Sequence, residues 1–230
     1  MIKKILFWMF SIPFSLVTEI RNFLYNIGIL KSSEFNIPII SIGNLVLGGS
    51  GKTPTIEYLV RLLAYNYKVA VLSRGYGRKS TGFILADTNS DASLIGDEPM
   101  QYFRKFKNII VSVDSNRVRG INKLINLNLK PEVVLLDDAF QHRKVKPGIS
   151  ILLTDFNNLY SEDNIFPLGN LRESIGNASR ADIIIVTKCD KNINKDQKRH
   201  IIQKLNIGDN QKIYFSSIKY LSDFHTLCAY

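Results

Sequence analysis

The apolar run Ile39-Ile40-Ser41-Ile42 leads without a break into Gly43-Asn44-Leu45-Val46-Leu47-Gly48-Gly49-Ser50-Gly51-Lys52-Thr53-Pro54. No other segment limits the fold as tightly. A strand, a glycine-rich loop and a helix opening at Pro54 follow one another in the order that a phosphate-cradling loop requires. Glycines remove the Cβ atoms that would keep backbone N–H groups from wrapping phosphate oxygens. The helix adds the positive end of its dipole, and proline in its first turn gives up no needed donor. On this reading Val46, Leu47, Gly48, Gly49, Ser50, Gly51, Lys52 and Thr53 form a nucleotide-binding loop. Lys52 bridges β- and γ-phosphates there, and the Thr53 hydroxyl is a Mg²⁺ ligand. One departure stands out: the pattern G-x-x-x-x-G-K-[ST] wants glycine where this chain has Val46.

Short apolar runs, most of them β-branched, recur at 37–42, 68–73, 108–113, 132–137, 150–154, 182–187 and 212–215. They lack strict alternation, as strands do when both faces of a parallel sheet are covered. Residues 54–65, 98–106, 117–127 and 195–205 carry helical patterns between them. This repetition predicts an α/β fold, a P-loop NTPase-type, doubly wound, mostly parallel sheet. Ligands of such sheets sit beyond the carboxyl ends of the strands. The run Val133-Val134-Leu135-Leu136 ends there on Asp137-Asp138. Beside a phosphate loop, Asp137 and Asp138 are expected to hold the metal directly or through water. Which of the two faces it is not readable from the sequence.

The charge balance, 30 Lys+Arg against 20 Asp+Glu, favours anionic partners without choosing among nucleotide, nucleic acid and acidic lipid. Cys189 and Cys228 have no metal-ligand spacing and fit a reducing cytosol. At the amino terminus Lys3 and Lys4 precede Ile5-Leu6-Phe7-Trp8-Met9-Phe10. Pro13, two serines, Glu19 and Arg21 then interrupt the apolar stretch before it reaches the roughly 20 residues that a spanning helix needs. A signal peptide is disfavoured for want of a convincing small-residue cleavage site. An interfacial helix is expected, with aromatic rings at headgroup depth and lysines on anionic lipid; packing against the protein's own core is the alternative.

Four more segments narrow the class: Leu72-Ser73-Arg74-Gly75-Tyr76-Gly77, Gly96-Asp97-Glu98-Pro99, Asp137-Asp138-Ala139-Phe140-Gln141-His142-Arg143 and Pro167-Leu168-Gly169-Asn170-Leu171-Arg172-Glu173. Together with the loop and in this order, they resemble the tetraacyldisaccharide 4′-kinase (lipid A 4′-kinase) family from the amino-terminal helix to about Tyr220. That family also carries valine or threonine at the position of Val46. The resemblance implies ATP and Mg²⁺ as cofactors and transfer of the γ-phosphate to the 4′-hydroxyl of an acylated disaccharide 1-phosphate, giving lipid IVA. It implies work at the cytoplasmic face of the bacterial inner membrane, with anionic inner-membrane lipid and no nucleic acid as partner. The expected organisation is a membrane-associated helical segment over 1–34 and a nucleotide-binding kinase core over 35–215. Residues 216–230 would begin a linker and a carboxyl-terminal domain.

The resemblance also implies roles. Asp97 matches the family's proposed base, since a sugar hydroxyl needs a carboxylate to accept its proton; from sequence alone it serves equally well as a helix N-cap. Arg172 matches a family motif and joins Lys52 in supplying cations to the transferring phosphoryl group. Arg74, Arg117 and Arg119 stay open between phosphate contact and solvation. His142 is expected to position its loop through a ring hydrogen bond, with membership of the ligand site as the alternative, and Ala139 stands where the family has glycine. Thr187-Lys188-Cys189-Asp190 is similar to the [NT]-K-x-D element of GTPases and suggests a nucleobase pocket, with Lys188 under the ring. It keeps a GTP-driven switch or metal-insertion protein as an alternative. The family's Asp-His-His is absent from the sequence. A truncated second domain is therefore expected, and an inactive ATP-binding fragment is a further alternative.

Overall fold

The computed structural model describes residues 2–217, with side chains from residue 11 onward. Its strands are β1 Ile39–Asn44, β2 Val69–Ser73, β3 Ile84–Leu85, β4 Ile110–Val113, β5 Val133–Leu136, β6 Ile149–Asp155, β7 Ile183–Thr187 and β8 Lys212–Phe215. They form one 8-stranded sheet in the order β3-β4-β2-β5-β1-β6-β7-β8. Every pairing is parallel except that of β3, an antiparallel edge strand on β4. The helices are α1 Ile2–Asn26, α2 Lys52–Leu63, α3 Ala92–Ile95, α4 Asp97–Lys105, α5 Arg117–Ile125 and α6 Lys195–Leu205.

Two-sided burial explains the strand composition. All of β2 and all of β5 are buried, so neither face selects polar residues. On one face Ile56 and Val60 of α2 and Tyr102 of α4 pack on Ile42, Val71, Leu135 and Leu153. On the other, Ile121 and Leu124 of α5 cover Ala70, Leu72, Val134 and Leu136, and Ile201 and Leu205 of α6 cover Leu152 and Ile184. The helices open where the chain supplies caps. Asn116 accepts from the Arg119 N–H, and Asn194 and Gln197 form a reciprocal capping box. Each such cap contributes about 1 kcal/mol.

Every expected strand and helix is present, with boundaries displaced by about two residues. Strand β1 continues to Asn44 because Gly43 and Asn44 pair with Leu152 and Leu153. Helix α2 opens at Lys52, which leaves Pro54 still inside the first turn, where its missing donor costs nothing. The short elements β3 and α3 were not expected, since a run of 2 or 4 residues carries no readable period.

Helix α1 inverts the usual arrangement of a surface helix. Its 25 residues include Pro13, and among the described residues no helix is long and apolar enough to cross a membrane. The side that meets the protein carries several polar contacts beside the edge-on packing of Phe14 on Phe166. Ser11 donates to the Ile165 carbonyl at 3.0 Å, Asn177 to Glu19 at 3.0 Å and Asn22 to Glu173 at 2.8 Å. Ile12, Leu16, Val17 and Phe23 point away and are 56, 58, 68 and 60% exposed. An apolar side chain left in water forgoes about 1.5–3 kcal/mol that burial would give. Among the described side chains of α1, several apolar ones thus lie off the protein.

Candidate functional site

The glycine loop joins the carboxyl end of β1 to the amino end of α2, at the end of the sheet where ligands of such folds bind. Gly51 caps α2 at φ 81°, a left-handed conformation that burdens any residue with a Cβ. Gly43 is needed for a different reason: a Cβ there would stand 2.7 Å from Phe140 Cβ, so β1 and the segment after β5 could not close together. Val46 does not disturb the loop, because its side chain is buried in a core cluster with Phe140 and Leu171. Its backbone bridges Leu171, while Arg172 N–H donates to Leu45 O at 2.7 Å and Leu47 N–H to Asn170 O at 2.8 Å. The Leu47 N–H is thus committed within the protein and its side chain is exposed. Gly48 and Gly49 form the exposed tip, and Ser50 turns inward.

Lys52 Nζ lies 3.4 Å from Asn44 Oδ1 and 3.5 Å from Asp138 Oδ1. Arg172 Nη1 donates to both carboxylate oxygens of Asp138, at 3.1 and 3.0 Å. Two cations from distant segments thus converge on one acid. Burial works to raise the pKa of Asp138, but Lys52 and Arg172 outweigh it and hold the carboxyl below its ordinary value. Asp137 has the opposite environment. Burial, then Glu98, then Asp138 push it up to about 7, against the pull of Lys52 and Ser73. Its Oδ2 takes hydrogen bonds from Ser73 Oγ at 3.2 Å and Tyr102 OH at 3.4 Å, and the Tyr102 hydroxyl also meets the Thr53 side chain.

The residues present fit a phosphate and a divalent cation. Among the described residues Ser50 Oγ and Asp137 Oδ1 are buried without a hydrogen-bond partner, which is costly unless a ligand meets them. Thr53 and Asp137 are drawn together through Tyr102. Among the described residues no group of three or more His, Cys, Asp or Glu side chains could hold a metal unaided. A cation here would complete its shell with phosphate oxygens and water.

Asp97 is the first residue of α4 and is exposed. The N-cap is Gly96, with no side-chain capping bond, so the capping role open to Asp97 in the sequence is not the one it takes. Its neighbour Glu98 is close enough to raise the pKa of Asp137.

Residues 3–222 match the sequence profile of the Tetraacyldisaccharide-1-P 4'-kinase family. The chain belongs to that family. A tetraacyldisaccharide 4'-kinase of Flavobacterium johnsoniae is 54% identical over 220 residues, covering 96% of this chain and 64% of the relative. One from Bacteroides thetaiotaomicron is 49% identical over 220 residues, covering 94% of this chain and 58% of that protein. The chain thus spans less than two thirds of the length of these relatives. Among solved structures, LpxK from Aquifex aeolicus in complex with ATP superimposes with a TM-score of 0.73 at 29% identity, covering 94% of this chain and 83% of that one.

Other positions of this 4'-kinase family chain fall into place structurally. Arg117 is buried and ties two strand ends together, donating to Asp114 O at 2.6 Å and Asp137 O at 3.0 Å. Arg119 is paired with Asp114 through two 2.8 Å bonds, and Arg74 is exposed. The His142 ring makes no hydrogen bond among the described residues; burial, then Arg117 and Arg74, lower its pKa to about 4. Ala139 is not at a positive φ, which belongs instead to Asp138 at 48°. Tyr102 was not expected at the site, and Glu173 figures in the sequence only as the last residue of a motif. Tyr102 follows Glu98 by one helical turn, a spacing that could have marked it as facing the site. Glu173 is fully buried and receives Asn22, Gln141 and Arg180 at 2.8, 3.0 and 2.7 Å, an arrangement with no local signature. Cys228 and residues 218–230 as a whole lie outside the described residues.

Proposed function

We propose that this chain is the nucleotide-binding core of a kinase that transfers the γ-phosphate of ATP to the 4′-hydroxyl of a tetraacylated disaccharide 1-phosphate, giving lipid IVA. The observation that carries the reading is the meeting of Lys52 and Arg172 on Asp138 beside the glycine loop, in a chain of this family. The ATP held by the relative from Aquifex aeolicus supports ATP as the donor. Mg²⁺, held by Thr53 with Asp137 and Asp138, would neutralise charge on the β- and γ-phosphates.

The chain's own groups then divide the work. The loop from Gly48 to Thr53 holds the triphosphate. Lys52 and Arg172 meet the negative charge that grows on the transferring group, and Asp138 keeps both cations aimed before any substrate arrives. Asp97 accepts the proton of the sugar hydroxyl, which is otherwise a poor nucleophile. Helix α1, with its polar side bonded to the protein and its apolar side outward, supports seating on anionic lipid at the cytoplasmic face of the inner membrane. The organisation is a membrane-associated segment over 1–34, a kinase core over 35–215 and the start of a linker and further domain over 216–230.

The test is transfer of labelled γ-phosphate from ATP to a tetraacyldisaccharide 1-phosphate with Mg²⁺. The expected outcome is transfer by the chain alone or after the Asp-His-His-bearing domain of a relative is supplied. ATP binding with no transfer under either condition would refute the reading.

A further inference from the structure

Thr187-Lys188-Cys189-Asp190, at the end of β7, is not used by the transfer chemistry, yet its first two side chains are directed at the glycine loop. Thr187 Oγ1 lies 3.0 Å from Ser50 O and 3.1 Å from Thr154 O. Lys188 Nζ donates to Gly49 O at 2.5 Å and to Asp155 Oδ2, at the end of β6, at 2.6 Å. Thr187 also backs directly onto Gly51, where an added Cβ would meet Thr187 Cβ at 3.3 Å. To reach this position Lys188 adopts φ 57°, a conformation few residues other than glycine accept. Consecutive carbonyls at the loop tip are therefore turned toward β7 and held there.

The consequence follows from peptide geometry. In a planar trans peptide the C=O and the next N–H point in opposite directions. Holding Gly49 O and Ser50 O toward β7 turns the N–H groups of Ser50 and Gly51 the other way. The Ser50 N–H leans on Gly48 O at 3.1 Å. The other flank of the loop is already fixed by the backbone bonds to Asn170 and Arg172. Gly48 O receives Asn44 Nδ2 at 3.4 Å, and the Lys188 contact restrains Gly49, which has no side chain of its own to hold it.

We propose that Lys188, steadied by Asp155, is a positioning residue that latches the loop tip and sets affinity for the polyphosphate whatever base is attached. This rests on the reading of residues 43–53 as a triphosphate site. The role differs from the nucleobase platform that the [NT]-K-x-D likeness suggests, and the two can be separated. Binding of ATP, GTP and inorganic tripolyphosphate, each with Mg²⁺, is measured by calorimetry for the wild-type chain and for Lys188→Gly, Lys188→Arg and Asp155→Asn. Lys188→Gly removes the ammonium while favouring the positive φ, and its thermal midpoint without ligand checks that the fold is kept.

The expected result is that Lys188→Gly weakens all three ligands by the same factor, roughly tenfold, as for loss of one charge-assisted hydrogen bond. Asp155→Asn weakens them equally but less, and Lys188→Arg recovers part of the loss. A changed ATP-to-GTP ratio with tripolyphosphate unaffected overturns the latch in favour of a base platform. Unchanged binding of all three by a folded Lys188→Gly overturns it outright. A wild-type chain that binds none of the three overturns the triphosphate site itself, and the latch with it.

Discussion

On the phosphate side of the site Lys52 and Arg172 both rest on Asp138, and Asn44, Thr187 and Lys188 hold the loop around them. On the proposed hydroxyl side Asp97 stands exposed at the head of α4, and no hydrogen bond engages its carboxylate among the described residues. One half is organised before substrate arrives, so its charges need little rearrangement during the reaction. The other is organised by what it meets. Binding and proton acceptance should accordingly separate under mutation.

The largest effect is expected on the organised half. Lys52→Ala should lower turnover by about 10³-fold and weaken ATP binding as well, because it removes a cation that meets phosphate in both ground and transition states. Steady-state kinetics combined with nucleotide titration reads both effects. Asp97→Asn should lower turnover by about 10²-fold or more while the ATP dissociation constant stays put. If that variant also lost ATP, the contrast between the two halves would disappear. Phe23→Asp on α1 should cut co-sedimentation with anionic vesicles by roughly tenfold through lost apolar insertion. ATP binding should be untouched; a change there would mean that the helix shapes the loop.

Asp137 gives a smaller, pH-dependent signature in the protein without added metal. Its pKa rises from the ordinary 3.8 to about 7 in the folded protein. Between these values the folded chain keeps a proton that the unfolded chain has released, so the group favours folding below about pH 4 and loses that contribution as the pH rises through 7. Thermal midpoints of Asp137→Asn should therefore fall less than those of wild type across that range. His142 acts in the opposite sense, since its pKa drops from 6.5 to about 4. The difference between variant and wild type is what isolates Asp137; equal slopes would place its ionisation elsewhere. The smallest effect is expected for Ala139→Gly. Because Ala139 is not at a positive φ, glycine should cost stability, by about 0.5–1 kcal/mol, instead of relieving strain. A gain measured by urea unfolding would reverse that assignment.

The sheet was legible because its signals are local. Apolar runs without alternation could only be strands buried on both sides, and the glycine loop fixed the end of the sheet where the site would form. Val46 was legible only as a departure; its burial against Leu171, across 125 residues of chain, required the fold. Asp137 and Asp138 were named as a pair, but their opposite environments come from Glu98, Lys52 and Arg172, all far away in sequence. Ala139 was judged by its neighbour's backbone, since the left-handed residue is Asp138. Arg119 could not be assigned although its partner Asp114 is close in sequence, because the turn from β4 into α5 that brings them together carries no period. Glu173 collects Asn22 from 151 residues away, a distance at which composition carries no information.

Segment 165–180 has a consequence for where chemistry can occur. It is bonded to α1 through Ile165, Glu173 and Asn177, and to the loop through Asn170 and Arg172. A helix lying in a lipid surface is confined in depth, and so is whatever is fastened to it. If α1 seats on lipid as proposed, the segment would act as a gauge that sets the height of Arg172 and Lys52 above the acyl chains. On that proposal, a hydroxyl carried at the same height would be within reach, and one held higher or lower would be passed over without any pocket having to exclude it.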